Sequence, residues 1–198
     1  MLIRLVRLCS ALLVFAGFGQ AALGGNTDLL AWYESKNKGL QTIRANVRQV
    51  RNLPYLKQPL VSEGTVSLDE HRMEWRIDRP EKTIYTVSSN TLTIRYEDVG
   101  SVRTVDLEKD PVLGSIFANF RQILSGKLEA LETLFHFDSQ PQKKILMLTP
   151  KNEMALPFKR LRILLDEEGQ IRVIRFDGFQ DEWTEIQFSN VRRTFRSP

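Results

Sequence analysis

Hydrophobic and polar residues alternate most regularly in residues 72–78, which read Arg-Met-Glu-Trp-Arg-Ile-Asp. Met73, Trp75 and Ile77 fall on one face of a period-2 strand, whereas the charged residues between them fall on the other. The segment before it alternates more weakly, and a polar turn joins the two. Residues 61–80 are therefore predicted to form a β-hairpin in a sheet that is covered on one side and wet on the other.

Similar alternation, or a run of strand-forming residues between turn residues, recurs along most of the chain. In residues 42–53, for example, Ile43, Ala45 and Val47 alternate with polar residues. Short polar links such as Ser89-Asn90 have the composition of antiparallel hairpin turns. The hairpin supplies two predicted strands and residues 42–53 a third. Eight more bring the total to about eleven, at 83–88, 91–97, 101–107, 135–139, 144–149, 158–166, 170–176 and 183–190.

Helical periodicity replaces the strand period after Asp110-Pro111, where the aspartate is a suitable N-cap and the proline fits a first helical turn. Apolar residues then recur at helical spacing as far as Ser125-Gly126, at Leu113, Ile116, Phe117, Phe120, Ile123 and Leu124. Further helices are predicted in 127–134 and in 26–39. The predicted fold class is α+β, with one strongly curved antiparallel sheet and helices on its concave apolar face.

The N-terminal residues have the layout of a secretory signal peptide. Arg4 and Arg7 precede an apolar run at 11–18, and small residues follow near 21–25. The apolar run is too short to span a membrane. We therefore expect residues 1–24 to be a cleaved signal peptide, which places the mature protein outside the cytoplasm.

The remaining residues, 25–198, are predicted to form a single domain, which is long enough to bury a stabilising core. Cys9, the only cysteine, lies in the predicted signal, so the mature protein would need no disulfide. The formal net charge of +4 falls to +2 without the signal, and basic and acidic residues alternate, which argues against nucleic-acid binding. The one basic cluster is interpreted as a solvated tail and comprises Arg192, Arg193 and Arg196.

Residues with catalytic potential do not form a recognisable motif in this sequence. His71 and His136 sit in strand patterns, no glycine-framed serine accompanies them, and the two histidines lack metal-ligand spacing. The acidic residues at 166–168 occupy a turn, where solvated carboxylates are expected. No glycine-rich phosphate loop is present. The prediction is a protein without cofactor or metal that is not an enzyme.

Large apolar residues on both the sheet and the helices leave two interpretations open. Phe117, Phe120 and the inward strand residues form either an ordinary packed core or the walls of a cavity that holds an acyl chain. Met154, in an irregular loop, is a further adaptable lining residue. Sequence patterning alone does not decide between a filled and a partly empty interior.

Taken in order, motifs spread over nearly the whole mature chain resemble the LolA family of periplasmic lipoprotein carriers. They are Arg-Ala-Asn-Val-Arg-Gln-Val at 44–50, Pro-Leu-Val-Ser-Glu-Gly at 59–64, Arg-Met-Glu-Trp at 72–75, Ile-Leu-Ser-Gly at 123–126, Leu-Thr-Pro at 148–150 and Asp-Glu-Trp-Thr-Glu-Ile-Gln-Phe-Ser-Asn at 181–190. Each motif is weak by itself, and their order and spacing carry the resemblance.

The resemblance implies an incomplete, eleven-stranded barrel with a helical lid, whose apolar interior holds the acyl chains of a lipoprotein or related lipid. Such a carrier is a periplasmic protein, expected to be a monomer, that takes its client from an inner-membrane exporter and delivers it to an outer-membrane acceptor. The residues expected to form the cavity wall or lid are Trp75, Ile77, Leu92, Ile94, Phe117, Phe120, Leu146 and Phe188.

One feature departs from the family pattern. In the family, an arginine at the start of the tryptophan-bearing strand holds the lid shut through backbone hydrogen bonds. An ungapped match on Trp75 places Asp69 there, and the nearby Arg72 is the possible lid latch. This departure from the family pattern favours a relative that carries another lipid over a strict lipoprotein carrier. The absence of a lipid-anchor cysteine after the signal argues against the outer-membrane acceptor that shares the fold.

A second functional class stays open beside the carrier. A non-enzymatic periplasmic sensor or interaction domain could bind lipid or lipoprotein without transporting it.

Overall fold

The computed structural model describes residues 25–152 and 156–196, and for residues 25–28 it describes the backbone alone. The predicted signal peptide with Cys9 lies outside the described residues, as does Met154. No helix in the described part of the chain has the length and apolar character needed to cross a bilayer.

Eleven strands and two α-helices account for most of the described residues. The helices are α1 (Gly25–Asn37) and α2 (Pro111–Ser125). The strands are β1 (Leu40–Asn52), β2 (Leu60–Leu68), β3 (Arg72–Arg79), β4 (Thr83–Ser88), β5 (Thr91–Tyr96), β6 (Ser101–Asp106), β7 (Phe135–Gln140), β8 (Ile145–Pro150), β9 (Arg160–Leu165), β10 (Ile171–Asp177) and β11 (Trp183–Phe195).

All eleven strands belong to one antiparallel sheet with the order β6-β5-β4-β3-β2-β1-β11-β10-β9-β8-β7. The sheet consists of two meanders, because each strand from β1 to β6 and from β7 to β11 pairs with its neighbour along the chain. Pairing between β1 and β11 joins the meanders, and β6 and β7 end the strand order, so the sheet does not close into a barrel. The predicted fold class, an incomplete barrel with helices on its concave face, is confirmed.

Helix α2 begins and ends where its sequence predicts. The Asp110 carboxylate accepts a 3.1 Å hydrogen bond from the Leu113 amide, and Pro111 occupies the first turn. Gly126 ends the helix with a left-handed φ of 74°, and a Cβ there would lie 2.3 Å from the Asn37 Cβ. Because glycine leaves this space free, the end of α2 packs closely against the end of α1.

The core fills the half of the concave face that lies beneath α1 and the last turns of α2. Leu29, Leu30 and Tyr33 of α1 are buried there, as are Ile123 and Leu124 of α2. The short helix predicted at 127–134 is instead a 3₁₀ turn at Leu128–Leu131. Since Gly126 ends α2 and β7 begins at residue 135, little chain remains for a longer helix, yet both leucines of the turn are fully buried.

The basic end of the chain differs from the solvated tail that the sequence suggested. Strand β11 continues as far as Phe195, and Asn190, at a positive φ of 51°, lies where the pairing with β1 shifts register. The Arg193 guanidinium donates hydrogen bonds to the Asn37 side-chain oxygen at 3.0 Å and to the Gly169 carbonyl at 3.3 Å. Part of the basic cluster therefore fastens β11 to α1.

Candidate functional site

A cavity of about 450 Å³ lies between α2 and the other half of the concave face. It is at the end of the sheet where β1, β3 and β10 end and β4 and β11 begin. Its volume lies within the range of roughly 300–1,000 Å³ that is common for small-molecule sites. Most of its lining is apolar and comprises Met73, Trp75, Ile77, Tyr85, Ile116, Phe117, Phe120, Pro157, Phe158, Phe176, Trp183 and Ile186.

Helix α2 forms one wall of this cavity. Phe120 shares a helix face with Ile116 and Phe117 because it follows them by four and three residues, the spacings that place helical side chains one above the other. The Phe120 ring meets the Trp75 ring of β3 with centroids 5.5 Å apart and ring planes inclined by 56°. This tilted aromatic pair is the contact between α2 and the sheet at the cavity.

The opposite wall contains a second group of aromatic rings. Phe158 packs edge-on against Phe176 of β10, with ring centroids 5.2 Å apart, and stacks on Phe135 at 6.3 Å. Phe135 and Phe158 are buried, whereas Phe176 is half-buried and faces the cavity. The rings thus extend the core into the cavity wall.

One end of the cavity is polar. The inward period of β1, visible at Ile43, Ala45 and Val47, continues to Gln49 and Arg51, and both of these side chains line the cavity. Arg51 pairs with Thr184 of β11 across the sheet. The other polar lining residues are Asn52, Glu182 and Thr184. The cavity therefore has an apolar body and a mouth with hydrogen-bonding and charged groups.

The eight residues that the sequence assigned to the wall or lid separate into two groups. Four of them line the cavity, namely Trp75, Ile77, Phe117 and Phe120. The other four pack in or against the core, with Leu92, Leu146 and Phe188 at most 3% exposed and Ile94 half-buried. All eight lie on the inner surface, but the period of a strand does not tell which inward positions a helix will cover.

Sequence reasoning missed the polar mouth and part of the aromatic wall. Gln49 and Arg51 could have been found by extending the alternation of β1 past Val47. The same period places Thr184 and Ile186 on one face of β11, and Glu182, just before the strand, continues it. Phe158 carried no such signal, because it lies before β9 begins.

The possible latch Arg72 lies on the outer face of β3. Its guanidinium contacts the Glu74 carboxylate at 2.5 Å and the Thr86 hydroxyl at 3.5 Å. A different arginine joins α2 to the sheet: Arg121 donates hydrogen bonds from its guanidinium to the backbone carbonyls of Asp69, at 2.9 Å, and of the next residue, Glu70. Arg121 reaches from the helix to the turn between β2 and β3.

The turn that receives Arg121 is itself fixed by Asp69. The Asp69 carboxylate accepts hydrogen bonds of 2.8 Å from the backbone amides of His71 and Arg72. The His71 amide is the main reason that the pKa of Asp69 lies below its ordinary value, with smaller contributions from the Arg72 amide and from the charges of His71 and Arg121. The aspartate found at the family's arginine position therefore orders the carbonyls that Arg121 binds.

The two halves of α2 are held differently. Near its C-terminal end, Ile123 and Leu124 are 1% exposed. Its earlier residues Ile116, Phe117 and Phe120 are half-buried and face the cavity. The helix is thus most deeply buried at its C-terminal end and borders the cavity along its middle turns.

Three of the described residues that line the cavity are ionisable, namely Arg51, Tyr85 and Glu182. In residues 25–152 and 156–196, no group of three or more His, Cys, Asp or Glu side chains could hold a metal ion. Among the cavity residues, the pKa of Tyr85 is raised, mainly by partial burial and further by the nearby Tyr96. A raised pKa keeps this phenol neutral and suits an apolar wall.

Comparison with known proteins places the chain in a family. A family model described as outer membrane lipoprotein carrier protein LolA matches residues 38–197. No curated protein sequence matches the chain.

Three solved structures are similar to it at low sequence identity. An uncharacterized conserved protein from Thermus thermophilus has a TM-score of 0.50 at 9% identity, covering 86% of this chain and 89% of that one. A LolA superfamily protein from Nitrosomonas europaea has a TM-score of 0.42 at 10% identity, covering 87% and 94%. The Mycobacterium tuberculosis lipoprotein LppX has a TM-score of 0.47 at 11% identity, covering 83% and 95%. By the family match over residues 38–197, this chain belongs to the LolA family.

Proposed function

We propose that this protein is a periplasmic, non-enzymatic carrier that holds an acyl chain of a lipoprotein or related lipid in the cavity beneath α2. The observation that carries the proposal is the apolar cavity between the sheet and the half-buried middle turns of α2. Family membership supports it, because the matching model describes a lipoprotein carrier.

The energy of transfer explains why such a cavity is useful. Each methylene moved from water to an apolar site contributes about 0.8 kcal/mol, so a sixteen-carbon chain exposed to water costs on the order of 10 kcal/mol. A carrier must offset most of this cost and still release the chain. A partly empty apolar cavity solvates the acyl chain about as well as a membrane does. Transfer of the chain can then follow small differences in affinity between the carrier, its donor and its acceptor.

Helix α2 is the element that we expect to move when a chain enters. Its C-terminal end is buried against α1, whereas its cavity face is attached to the sheet through the Phe120–Trp75 ring pair. A shift of the cavity-facing turns away from the sheet would widen the cavity while the buried end at Ile123 and Leu124 stays in place. In this proposal the carrier acts as a monomer, loaded by an inner-membrane exporter and unloaded at an outer-membrane acceptor.

The first test measures the binding of a fluorescent fatty-acyl probe to the mature protein. Phe117→Asp and Phe120→Asp should each abolish or strongly weaken binding, because a carboxylate in the apolar wall is costly to desolvate. Val112→Asp is the matched control, since Val112 is on the same helix but 54% exposed. Unchanged binding by both phenylalanine variants would contradict the proposed cavity.

A second test separates a carrier from a binding domain that does not transport. Donor and acceptor vesicles are mixed with the protein, and movement of the acyl probe between them is followed. A carrier accelerates this movement in proportion to its concentration. Tight binding without acceleration would favour the sensor or interaction class instead.

A further inference from the structure

The mouth of the cavity carries two opposite charges. Among the described residues that line the cavity, Arg51 and Glu182 alone are charged, and the rest of the lining is neutral. Arg51 pairs with Thr184 across the β1–β11 ladder, and Glu182 precedes Thr184 by two residues. The arginine and the glutamate are therefore diagonal neighbours at one end of the strand pair.

Neither charge is neutralised within the described part of the chain. The ion pairs there do not include Arg51 or Glu182. Two acids nearby are engaged elsewhere: Asp177 binds three arginines, and Glu185 contacts Arg175 at 3.6 Å. Arg51 and Glu182 thus keep their charges available to a ligand at the cavity mouth.

Local backbone structure positions the glutamate. The Gly178 amide donates a 2.8 Å hydrogen bond to the Glu182 carbonyl and closes the loop between β10 and β11. A Cβ on Gly178 would lie 2.2 Å from the Glu182 Cγ, so the glutamate side chain occupies the space that this glycine leaves free. Glu182 is half-buried in this position. Its carboxylate belongs to the cavity lining rather than to a freely extended surface side chain.

We propose that Arg51 and Glu182 bind the headgroup of a zwitterionic amphiphile whose acyl chain occupies the cavity. The phosphate or other anionic group lies against the Arg51 guanidinium, and the ammonium group lies against the Glu182 carboxylate. This inference rests on the proposed function and specifies the class of lipid. Charge complementarity carries it, because an apolar body with one cation and one anion at its mouth matches an acyl chain with a zwitterionic headgroup.

The experiment compares three single-chain lipids of equal chain length by displacement of a fluorescent acyl probe. They are a lysophosphatidylethanolamine, which is zwitterionic, a lysophosphatidylglycerol, which is anionic, and an uncharged monoacylglycerol. The wild-type protein should bind the zwitterion most tightly, by about three- to tenfold over the uncharged lipid, as expected for charge-assisted contacts near a surface.

Two variants assign the charges. Arg51→Gln should weaken binding of both the zwitterionic and the anionic lipid by about three- to tenfold and leave the uncharged lipid unaffected. Glu182→Gln should weaken the binding of the zwitterionic lipid and strengthen the binding of the anionic lipid. Arg48→Gln is the control, because Arg48 is an exposed arginine on the opposite face of β1.

The outcomes separate this inference from the proposed function. Equal affinity for all three lipids, or an unchanged ranking in both variants, would overturn the headgroup site while leaving the acyl cavity intact. Preference for the anionic lipid in the wild type would also overturn it. Failure of every acyl lipid and of the probe to bind would overturn the carrier function itself.

Discussion

The Tyr33 hydroxyl of α1 donates a 2.7 Å hydrogen bond to the backbone carbonyl of Ile123 in the last turn of α2. Tyr33 is 1% exposed, so this bond lies inside the core. The carbonyl groups of a final helical turn lack partners within the helix and need others. Tyr33 supplies one and fixes the end of α2 about which we expect the helix to move.

Removing this hydroxyl should destabilise the protein. In Tyr33→Phe the Ile123 carbonyl keeps its 3.2 Å hydrogen bond from the Gly126 amide but loses the tyrosine donor. We therefore expect the free energy of unfolding to fall by about 0.5–1.5 kcal/mol, the net contribution of one buried hydrogen bond. Urea unfolding followed by circular dichroism measures the change. Tyr55→Phe is the control because Tyr55 is 78% exposed, and an equal loss in both variants would contradict a special role for Tyr33.

The same residue should make stability sensitive to alkaline pH. Burial raises the pKa of the Tyr33 hydroxyl above its ordinary value, an effect that the nearby Arg193 partly opposes and Glu34 slightly strengthens. As the pH rises, the Tyr33 hydroxyl therefore loses its proton at a lower pH in the unfolded chain than in the folded protein. The stabilisation is complete below the ordinary tyrosine pKa of about 10 and falls above it, by up to about 1.4 kcal/mol per pH unit.

Unfolding measured between pH 8 and pH 11, a window set around that tyrosine pKa of about 10, tests this dependence. Tyr33→Phe should decrease the alkaline slope without removing it, because the pKa of Tyr85 is also raised and that residue remains. An unchanged slope in the variant would show that Tyr33 does not control alkaline unfolding.

Arg121 should control how readily α2 separates from the turn between β2 and β3. Its guanidinium contacts two backbone carbonyls of that turn. We expect Arg121→Ala to increase local opening by about three- to tenfold, which is the effect of losing roughly one exposed charge-assisted contact. Hydrogen exchange of α2 and of the turn measures opening, and dissociation of an acyl probe should accelerate in parallel.

The control for this variant is Arg172→Ala, which removes an exposed arginine from β10 on the other side of the sheet. If Arg172→Ala accelerates exchange in α2 as much as Arg121→Ala does, the effect reflects general charge loss rather than the contacts to the turn.

Gly64 permits a close backbone approach between β2 and β3. A Cβ at this position would lie 1.9 Å from the Arg76 carbonyl oxygen and 2.8 Å from its carbonyl carbon. Because both neighbours are backbone atoms, Gly64→Ala must displace a strand, and we expect a loss of about 1–3 kcal/mol in the free energy of unfolding. Thermal unfolding of Gly64→Ala is compared with that of Ser67→Ala, which changes an outward-facing residue of the same strand. Similar unfolding midpoints for the two variants would contradict the expected loss.

Much of the fold follows from two sequence periods. The apolar stripe of α2, with Asp110 before it and Gly126 after it, indicated both ends of that helix because caps are local interactions. The alternation at Met73, Trp75 and Ile77 indicated an inward face in the same way. The shift at Asn190 that prolongs β11 was less visible, since a left-handed backbone at a non-glycine residue leaves little sequence signal.

The division of the inner face into core and cavity could not be predicted in this way. Leu146 and Trp75 have the same inward orientation in their strands, yet one is fully buried and the other borders open space. What separates them is the position of α1 and of the last turns of α2 over the sheet. That position depends on long-range contacts such as Tyr33 with Ile123, which no local pattern contains.

The pairing of β1 with β11 also constrains how the chain can reach its native state. Thr42 and Thr194 share a 2.6 Å hydrogen bond although they are 152 residues apart in the chain. Each meander can assemble from segments that are close in the chain. The pairing between the two meanders must wait until β11 has been synthesised. Long-range pairings of this kind slow folding and leave apolar surface open to misassociation in the meantime. We therefore expect the protein to depend on a holding chaperone until the pairing of β1 with β11 is complete.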